Sequence, residues 1–459
     1  MLLRLLSALA LVVAAAPARA QSILIPHSSI VRAEDAGIRM HTNHQILLDP
    51  TVTYTSTSGF TPSQLLSFYN MPASGGHDVI AVVDAFDYSS ALNDFNHFSG
   101  TFGLPSEESS NVLASTNLVF QVVYASGSRP NNSNASDPSN PVGWNQEAAV
   151  DIEWAHAMAP NAKIVLVEAN SDSRTDLFEA AKFAAGIADV KEISMSWATI
   201  EFPGETNYDS YFNISGPVFF ASAGDTPAVV SYPACSPYVV AVGGTHIDYS
   251  SGTFQDETAW IPGKASDGTT IIGGGGGNSV YETKPVWQDF VTMMGSNRGT
   301  PDISSDADPN TGVSIYCANS WMVVGGTSVS APCLAGMVNA TSNGTSFTST
   351  TQFLTTIYAN YLMSTYPFRD IILGNSSTTQ SPQFAAGVGW DYATGLGTPQ
   401  TSASFTPYAY SGSSDGTVAG QDVLDMVANF GTANLTLEPT GDSTVSQRDI
   451  DFFLLQLGW

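Results

Sequence analysis

The chain of 459 residues has room for one large domain plus a small one, or for two of middling size. Its 43% hydrophobic content is that of a globular protein, yet only 12% of residues are charged, and acidic residues outnumber basic ones 41 to 14, for a formal charge of -27. This balance excludes nucleic acid as a partner, because phosphate binding needs clusters of Lys and Arg that the sequence lacks. It also suits an acid medium: with many carboxylates neutral at low pH, few cations remain to repel one another.

Residues 1–20 combine Arg4, an apolar core from Leu5 to Ala16, and Ala18-Arg19-Ala20 as a cleavage site. This reads as a secretory signal peptide and places the chain outside the cytoplasm, extracellular or periplasmic. The apolar run is too short to span a membrane and nothing similar follows, so no membrane span is expected. Cys235, Cys317 and Cys333 are too few for a disulfide framework; one pair is possible, and the spacing does not choose it. Residues 21–58 form a short N-terminal segment carrying His41 and His44. Nothing else metal-like stands near that pair, so a surface segment is expected rather than a metal clip.

From Gly59 the pattern turns regular. Thr61 to Tyr69 predicts a capped amphipathic helix. Apolar runs at Val79–Ala85, Leu118–Tyr124, Ile164–Glu168, Ile193–Trp197, Val218–Ser222 and Val239–Val242 predict strands, and Gln146–Met158 and Asp176–Ala184 predict helices between them. Alternating strands and helices indicate an α/β fold with a parallel sheet covered on both faces. Functional residues in such folds gather at the carboxyl ends of strands, where Asp84, Asp225 and Ser328 all fall. Five consecutive glycines, Gly273 to Gly277, lack the Lys-Ser/Thr of a phosphate loop; close approach of a substrate chain is favoured over a flexible linker.

Two places carry chemistry. Met322 to Val324 reads as a strand, Gly325-Gly326 stop it, and a helical pattern follows through Pro332, Leu334 and Val338. Ser328 therefore stands at a strand-to-helix turn, beside helix-start amides able to steady an oxyanion, although Ser there is also a common N-cap. A histidine base in a subtilisin-like setting is missing: none of His27, His41, His44, His77, His97, His156 and His246 has that surrounding. Glu147 and Asp151, four apart, project from one face of an otherwise apolar helix. Two carboxyls confined together share a proton, and such a base works in acid.

These segments, Glu147-Ala-Ala-Val-Asp151, Phe-Phe-Ala-Ser-Ala-Gly-Asp225 and Gly-Gly-Thr-Ser328-Val-Ser-Ala-Pro, stand in an order that resembles the sedolisins, the serine-carboxyl peptidases with a subtilisin-like fold. Tyr232 to Thr245 and Pro301 to Pro309 are similar too, so the resemblance runs from about Phe60 to Pro399. It implies that Ser328 attacks the scissile carbonyl, Glu147 takes its proton, Asp151 hydrogen-bonds to and orients Glu147, and Asp225, protonated, steadies the oxyanion. Trp197 matches a position near the catalytic carboxylates. A calcium site is implied at Asp370, Ile371, Gly387, Gly389 and Asp391, two carboxylates and backbone carbonyls forming an oxygen cage. The family usually carries a long folded prosegment, whereas residues 21–58 are short.

After Pro399 the composition shifts to Thr, Ser, Ala and Gly. Ser414-Asp-Gly-Thr-Val leads to Gln421-Asp-Val-Leu-Asp-Met, and Gly441-Asp-Ser-Thr-Val leads to Arg448-Asp-Ile-Asp-Phe. Each unit is an acidic loop with an apolar helix, and the pair resembles the duplicated calcium-loop unit of dockerins, though Ser411 and Ser413 replace the expected ligands. The expected organisation is thus signal peptide 1–20, segment 21–58, a sedolisin-like peptidase domain 59–404 and a dockerin-like attachment module 405–459. The expected activity is acid endopeptidase cleavage of peptide or protein substrates by a monomer whose tail attaches to another protein or a surface. A peptide-binding relative without catalysis is the alternative; an ordinary esterase lacks its Gly-X-Ser-X-Gly turn.

Overall fold

The computed structural model describes residues 22–48, 56–131 and 143–405, apart from 251, 290, 292, 342–346 and 362–366, and a few tail residues at 427–431, 445–447 and 449–450. The expected signal peptide, and nearly all of the duplicated tail unit, lie outside the described residues.

In chain order the first elements are β1 (Ser22–Leu24), β2 (His41–Thr42), β3 (Gln45–Leu48), α1 (Pro62–Phe68), β4 (Val79–Ala85), α2 (Ala91–Phe102) and β5 (Phe120–Tyr124). Next come α3 (Trp144–Met158), β6 (Lys163–Ala169), α4 (Arg174–Ala185), β7 (Val190–Met195), β8 (Trp197–Ile200), β9 (Val218–Ser222), β10 (Ser231–Tyr232), β11 (Val240–Ser250) and β12 (Thr253–Ala259). The hairpin β13 (Gly263–Lys264) and β14 (Ile271–Ile272) and the pair β15 (Gly277–Thr283) and β16 (Asn297–Thr300) follow. Last are β17 (Ile303–Asp306), β18 (Val313–Cys317), β19 (Ser320–Gly325), α5 (Thr327–Thr341), α6 (Thr350–Tyr361), β20 (Phe368–Arg369) and β21 (Thr398–Pro399).

The main sheet runs β12–β11–β9–β7–β4–β6–β5, with β17 also on β11. Only β12 is antiparallel to its neighbour. Its central strands β9, β7, β4 and β6 are buried on both faces, as the continuous apolar runs require. Ile80 and Val82 point to the layer that holds α3 and α5, while Val79, Ala81 and Val83 point to the layer that holds α4. Ile164, Leu166 and Phe220 follow the first layer, and Val165, Val167 and Phe219 the second. At α1, the Thr61 N–H donates to Gln64 Oε1 at 2.9 Å, the capping that the sequence signals.

α3 and α5 are buried along their whole length and pack on each other directly. Gly336 permits this: a Cβ there would stand 2.6 Å from Met158 Cβ and 2.8 Å from the Ala155 carbonyl. The helices that bear Glu147 and Ser328 are therefore held side by side against the sheet.

The N-terminal segment departs from expectation. Residues 22–48 are not a surface strip but are woven into two further sheets, β1–β3–β19–β18 and β10–β8–β2. His44 is wholly buried, which corrects the surface reading. The glycine run is likewise corrected. Its close neighbour is the chain itself: Gly275 N–H donates to the Gly224 carbonyl at 2.8 Å, and Gly273 N–H to the Asp225 carbonyl at 3.1 Å. A Cβ on Gly275 would lie 2.7 Å from the Ala223 oxygen, so the glycines brace the turn that carries Asp225. All three cysteines are buried and free, so no pair forms.

Candidate active site

Ser328 is the second residue of α5, fully buried. β19 delivers the chain to this point, and Gly326 makes the turn at φ +107. A Cβ at Gly326 would sit 2.1 Å from the Asn43 carbonyl oxygen and 2.7 Å from Asp225 Oδ2, so those two oxygens face one small space. The Ser328 N–H donates to that Asn43 carbonyl at 3.0 Å. Its Oγ accepts the Asn43 N–H at 3.1 Å and donates to the Ser196 carbonyl at 3.2 Å. Pro332, four residues on, has no N–H for the Ser328 carbonyl. The Ser196 hydroxyl approaches that carbonyl instead, at 3.4 Å.

Glu147 and Asp151 on α3 are both fully buried. Glu147 Oε2 is 2.7 Å from His44 Nδ1, and its Oε1 has no partner. Asp151 accepts the Ser196 hydroxyl at 2.7 Å, and its Oδ2 is also without a partner. The direct bonds expected from Asp151 to Glu147, and from Glu147 to Ser328, are not among these contacts. The carboxyls interact instead through charge. Burial, then Asp84 and Glu147, pushes Asp151 well above the ordinary carboxyl range. A low-dielectric pocket cannot hold several anions at once, so protons stay on.

Asp84, at the end of β4, belongs to this group, and the sequence reading had noted only its strand-end position. Both its oxygens are buried without a partner, and burial, then Glu147 and Glu168, raises its pKa strongly. The signal was an ionisable residue closing an otherwise apolar strand. Trp197 is buried beside it, donating its Nε1–H to the Val83 carbonyl at 2.7 Å. Ser196 is a second member the sequence did not reveal, since a serine within Ser-Met-Ser-Trp carries no sign of which carboxyl it meets.

Asp225 follows β9 and is buried. Its Oδ1 accepts from the Thr327 N–H and hydroxyl, each at 2.8 Å, and its Oδ2 from Gln45 Nε2 at 2.5 Å. Burial outweighs these donors and raises its pKa to about 7. Asp225 is therefore protonated in acid, the state in which it can donate to an oxyanion.

The loop from Asp370 to Asp391 is tied at both ends by its acids. Asp370 Oδ2 accepts the Gly389 N–H at 2.9 Å and Asp391 Oδ2 the Gly387 N–H at 2.8 Å. Asp391 Oδ1 takes the N–H groups of Ala393 and Thr394, each at 2.9 Å. Asp370 Oδ1 is buried with no partner, and burial raises Asp391 to about 7. An orphaned carboxylate oxygen and an all-oxygen donor set fit a hard cation. Glu201, Glu205 and Cys235 also bring ligand-type atoms within 4.8 Å of one another. There Cys235 Sγ donates to Glu205 Oε1 at 3.4 Å and burial pushes its thiol up, away from the thiolate a metal needs.

Comparison with known proteins gives a consistent picture. The model of the subtilase family matches residues 105–390. Sedolisin of Pseudomonas sp. (strain 101) is 27% identical over 377 residues, covering 76% of this chain and 61% of that protein. Kumamolisin of Bacillus sp. (strain MN-32) is 32% identical over 307 residues, covering 61% of this chain and 53% of its own length. The chain thus spans less than two thirds of these relatives. The solved structure of Pseudomonas sedolisin, a serine-carboxyl proteinase complexed with two molecules of pseudo-iodotyrostatin, aligns with a TM-score of 0.62 at 25% identity. That alignment covers 75% of this chain and 96% of the other.

Proposed function

The chain belongs to the subtilase family, and from that premise we propose that it is a serine-carboxyl peptidase of the sedolisin type, secreted and acting on peptide bonds in acid. One observation carries the reading: the Ser328 N–H holds a peptide carbonyl at 3.0 Å, and Ser196, whose carbonyl takes the Ser328 hydroxyl, links that serine to the buried Asp151 of α3. Ser328 Oγ attacks the carbonyl carbon, and Glu147, through its unpartnered Oε1, accepts the hydroxyl proton. Asp151 and Asp84 hold protons close by and set the electrostatics of Glu147 without touching the substrate. The Ser328 N–H and protonated Asp225 take the developing oxyanion.

Asp370 and Asp391, with the carbonyls of Ile371, Gly387 and Gly389, are the residues that would hold calcium. The ion would cross-link the loop and has no part in the acyl transfer.

The test is hydrolysis of casein across pH 3–7. Ser328→Ala is expected to remove turnover, and Glu147→Gln to leave a folded protein, by circular dichroism, with at least ~10³-fold lower kcat. Retained turnover in either variant overturns the assignment. Absence of hydrolysis by the unaltered chain at every pH favours the peptide-binding alternative. A second reading makes His44 the base, since its Nδ1 meets Glu147 at 2.7 Å as in a Ser-His-acid triad. His44 Nε2, however, has no partner, and Ser328 bonds elsewhere. Hydrolysis of added casein should survive His44→Ala; its loss would install the triad.

A further inference from the structure

We infer that the cavity between α2 and β5 is a second binding site, built for a free aliphatic α-amino acid: Glu168 takes the ammonium group, Arg129 the carboxylate, and an apolar wall the side chain. The ligand is held there and not cleaved, since none of these residues bonds to Ser328.

The sheet register builds the floor of the site. Side chains alternate along a strand, so Val122 of β5, Leu166 of β6 and Val82 of β4 face the layer that holds α3, and Tyr124, Glu168 and Asp84, two residues on, face the same way. Tyr124 stands opposite Glu168, and Glu168 opposite Asp84. The three form one row at the carboxyl ends of neighbouring strands, the place where α/β sheets bind ligands. Glu168 is 1% exposed. Its Oε1 accepts the Tyr88 N–H at 2.9 Å, while its Oε2 is buried without a partner in a side chain that lines the cavity. A buried carboxyl oxygen left without a donor calls for one.

The cavity holds about 330 Å³, at the small end of ordinary ligand pockets, which run to ~300–1,000 Å³. Leu92, Leu113 and Val122 give it an apolar wall, and Leu113 leaves 44% of its surface uncovered there. Arg129 also lines it, donating Nε to Asp87 Oδ1 at 2.7 Å and Nη2 to Asp87 Oδ2 at 2.9 Å. That fork leaves Nη1 for a ligand carboxylate. An α-amino acid carries the matching set on one carbon: an ammonium donor, a carboxylate and an apolar body. A fatty acid offers Glu168 no cation, and a simple amine leaves Arg129 unanswered.

The titratable groups facing Glu168 are Asp84 on β4, Asp87 just beyond it, Tyr124 on β5 and Arg129. Burial raises Glu168 to about 8, so the empty site holds a proton in neutral and acid media. An ammonium group beside the carboxyl favours its charged form. Ligand uptake therefore expels that proton, and affinity weakens as pH falls below 8.

Binding of labelled L-leucine to the whole chain is measured by equilibrium dialysis at pH 7.5 and pH 5. One molecule per chain is expected, held at least tenfold more tightly at pH 7.5. Isoamylamine, which lacks the carboxylate, and isocaproate, which lacks the amine, should each bind at least tenfold more weakly than leucine. Glu168→Gln is expected to keep the circular dichroism of the unaltered chain and to lose both the affinity and its pH dependence. Arg129→Ala, at an exposed side chain, should reduce leucine to the affinity of isoamylamine; should Glu168→Gln misfold, this variant decides alone. No retained leucine at about 10 mM and pH 7.5 overturns the inference. Equal affinity at the two pH values, or undiminished binding in either folded variant, overturns it as well.

Discussion

In the proposed mechanism Asp225 sets the alkaline limit of the reaction. The proposed oxyanion donor must be protonated, so activity is expected to fall as pH passes about 7, where Asp225 ionises. Asp225→Asn replaces a titrating donor with a permanent one. It is expected to keep measurable activity and to move the alkaline limb of the kcat/KM profile upward, whereas Asp225→Ala should cost on the order of 10²-fold at pH 4. An unmoved alkaline limb in the Asn variant removes Asp225 from the oxyanion site. The positions of Ser328, Glu147, Asp151 and Asp225 were all legible, because each stands at a strand end or on one face of a helix. Their hydrogen bonds were not. Ser196 takes Asp151 and His44 takes Glu147, pairings between residues 45 and 103 positions apart that only folding creates.

The contact of α3 with α5 keeps the proposed base and nucleophile in one layer, and it depends on a missing side chain. Gly336→Ala places a methyl group 2.6 Å from Met158 Cβ and must push the helices apart. A loss of about 1–3 kcal/mol is expected from the urea midpoint at unchanged slope, with a fall in kcat as Glu147 withdraws from Ser328. A wild-type midpoint would show that the helices adjust freely. Sequence periodicity found both helices and six strands of the main sheet, all but β12 and β17, since burial on both faces writes continuous apolar runs. It missed β2 and β3, whose 2 and 4 residues are too short to show a pattern and are defined by what they pair with.

Across the molecule, buried acids tie stability to pH. Burial raises Glu192 and Glu168 to about 8 and Asp225 to about 7, all above their unfolded values near 4. The folded state therefore holds more protons than the unfolded chain between those limits. Its added stability is complete below about pH 4 and is lost as pH rises through 7 and 8. Calorimetry should give a Tm several degrees higher at pH 4 than at pH 8; a higher Tm at pH 8 would contradict this burial. Calcium held by the loop from Asp370 to Asp391, as proposed, would add a metal dependence. Excess EDTA at neutral pH is expected to lower Tm in the unaltered chain but not in Asp370→Ala, and equal melting with and without chelator would remove calcium from the proposal.

By itself the sequence determined the parallel α/β sheet, the order of its elements and the residue types brought to its strand ends, because these depend on local periodicity and on chemistry carried within single segments. Tertiary structure alone decided that residues 22–48 join two further sheets and bring Asn43 against Ser328, that the glycine run braces Asp225, and that Asp84 and Ser196 join the carboxyl group. Those outcomes come from close packing and buried electrostatics between distant parts of the chain, where a partner's identity is set by space and charge rather than by spacing along the backbone.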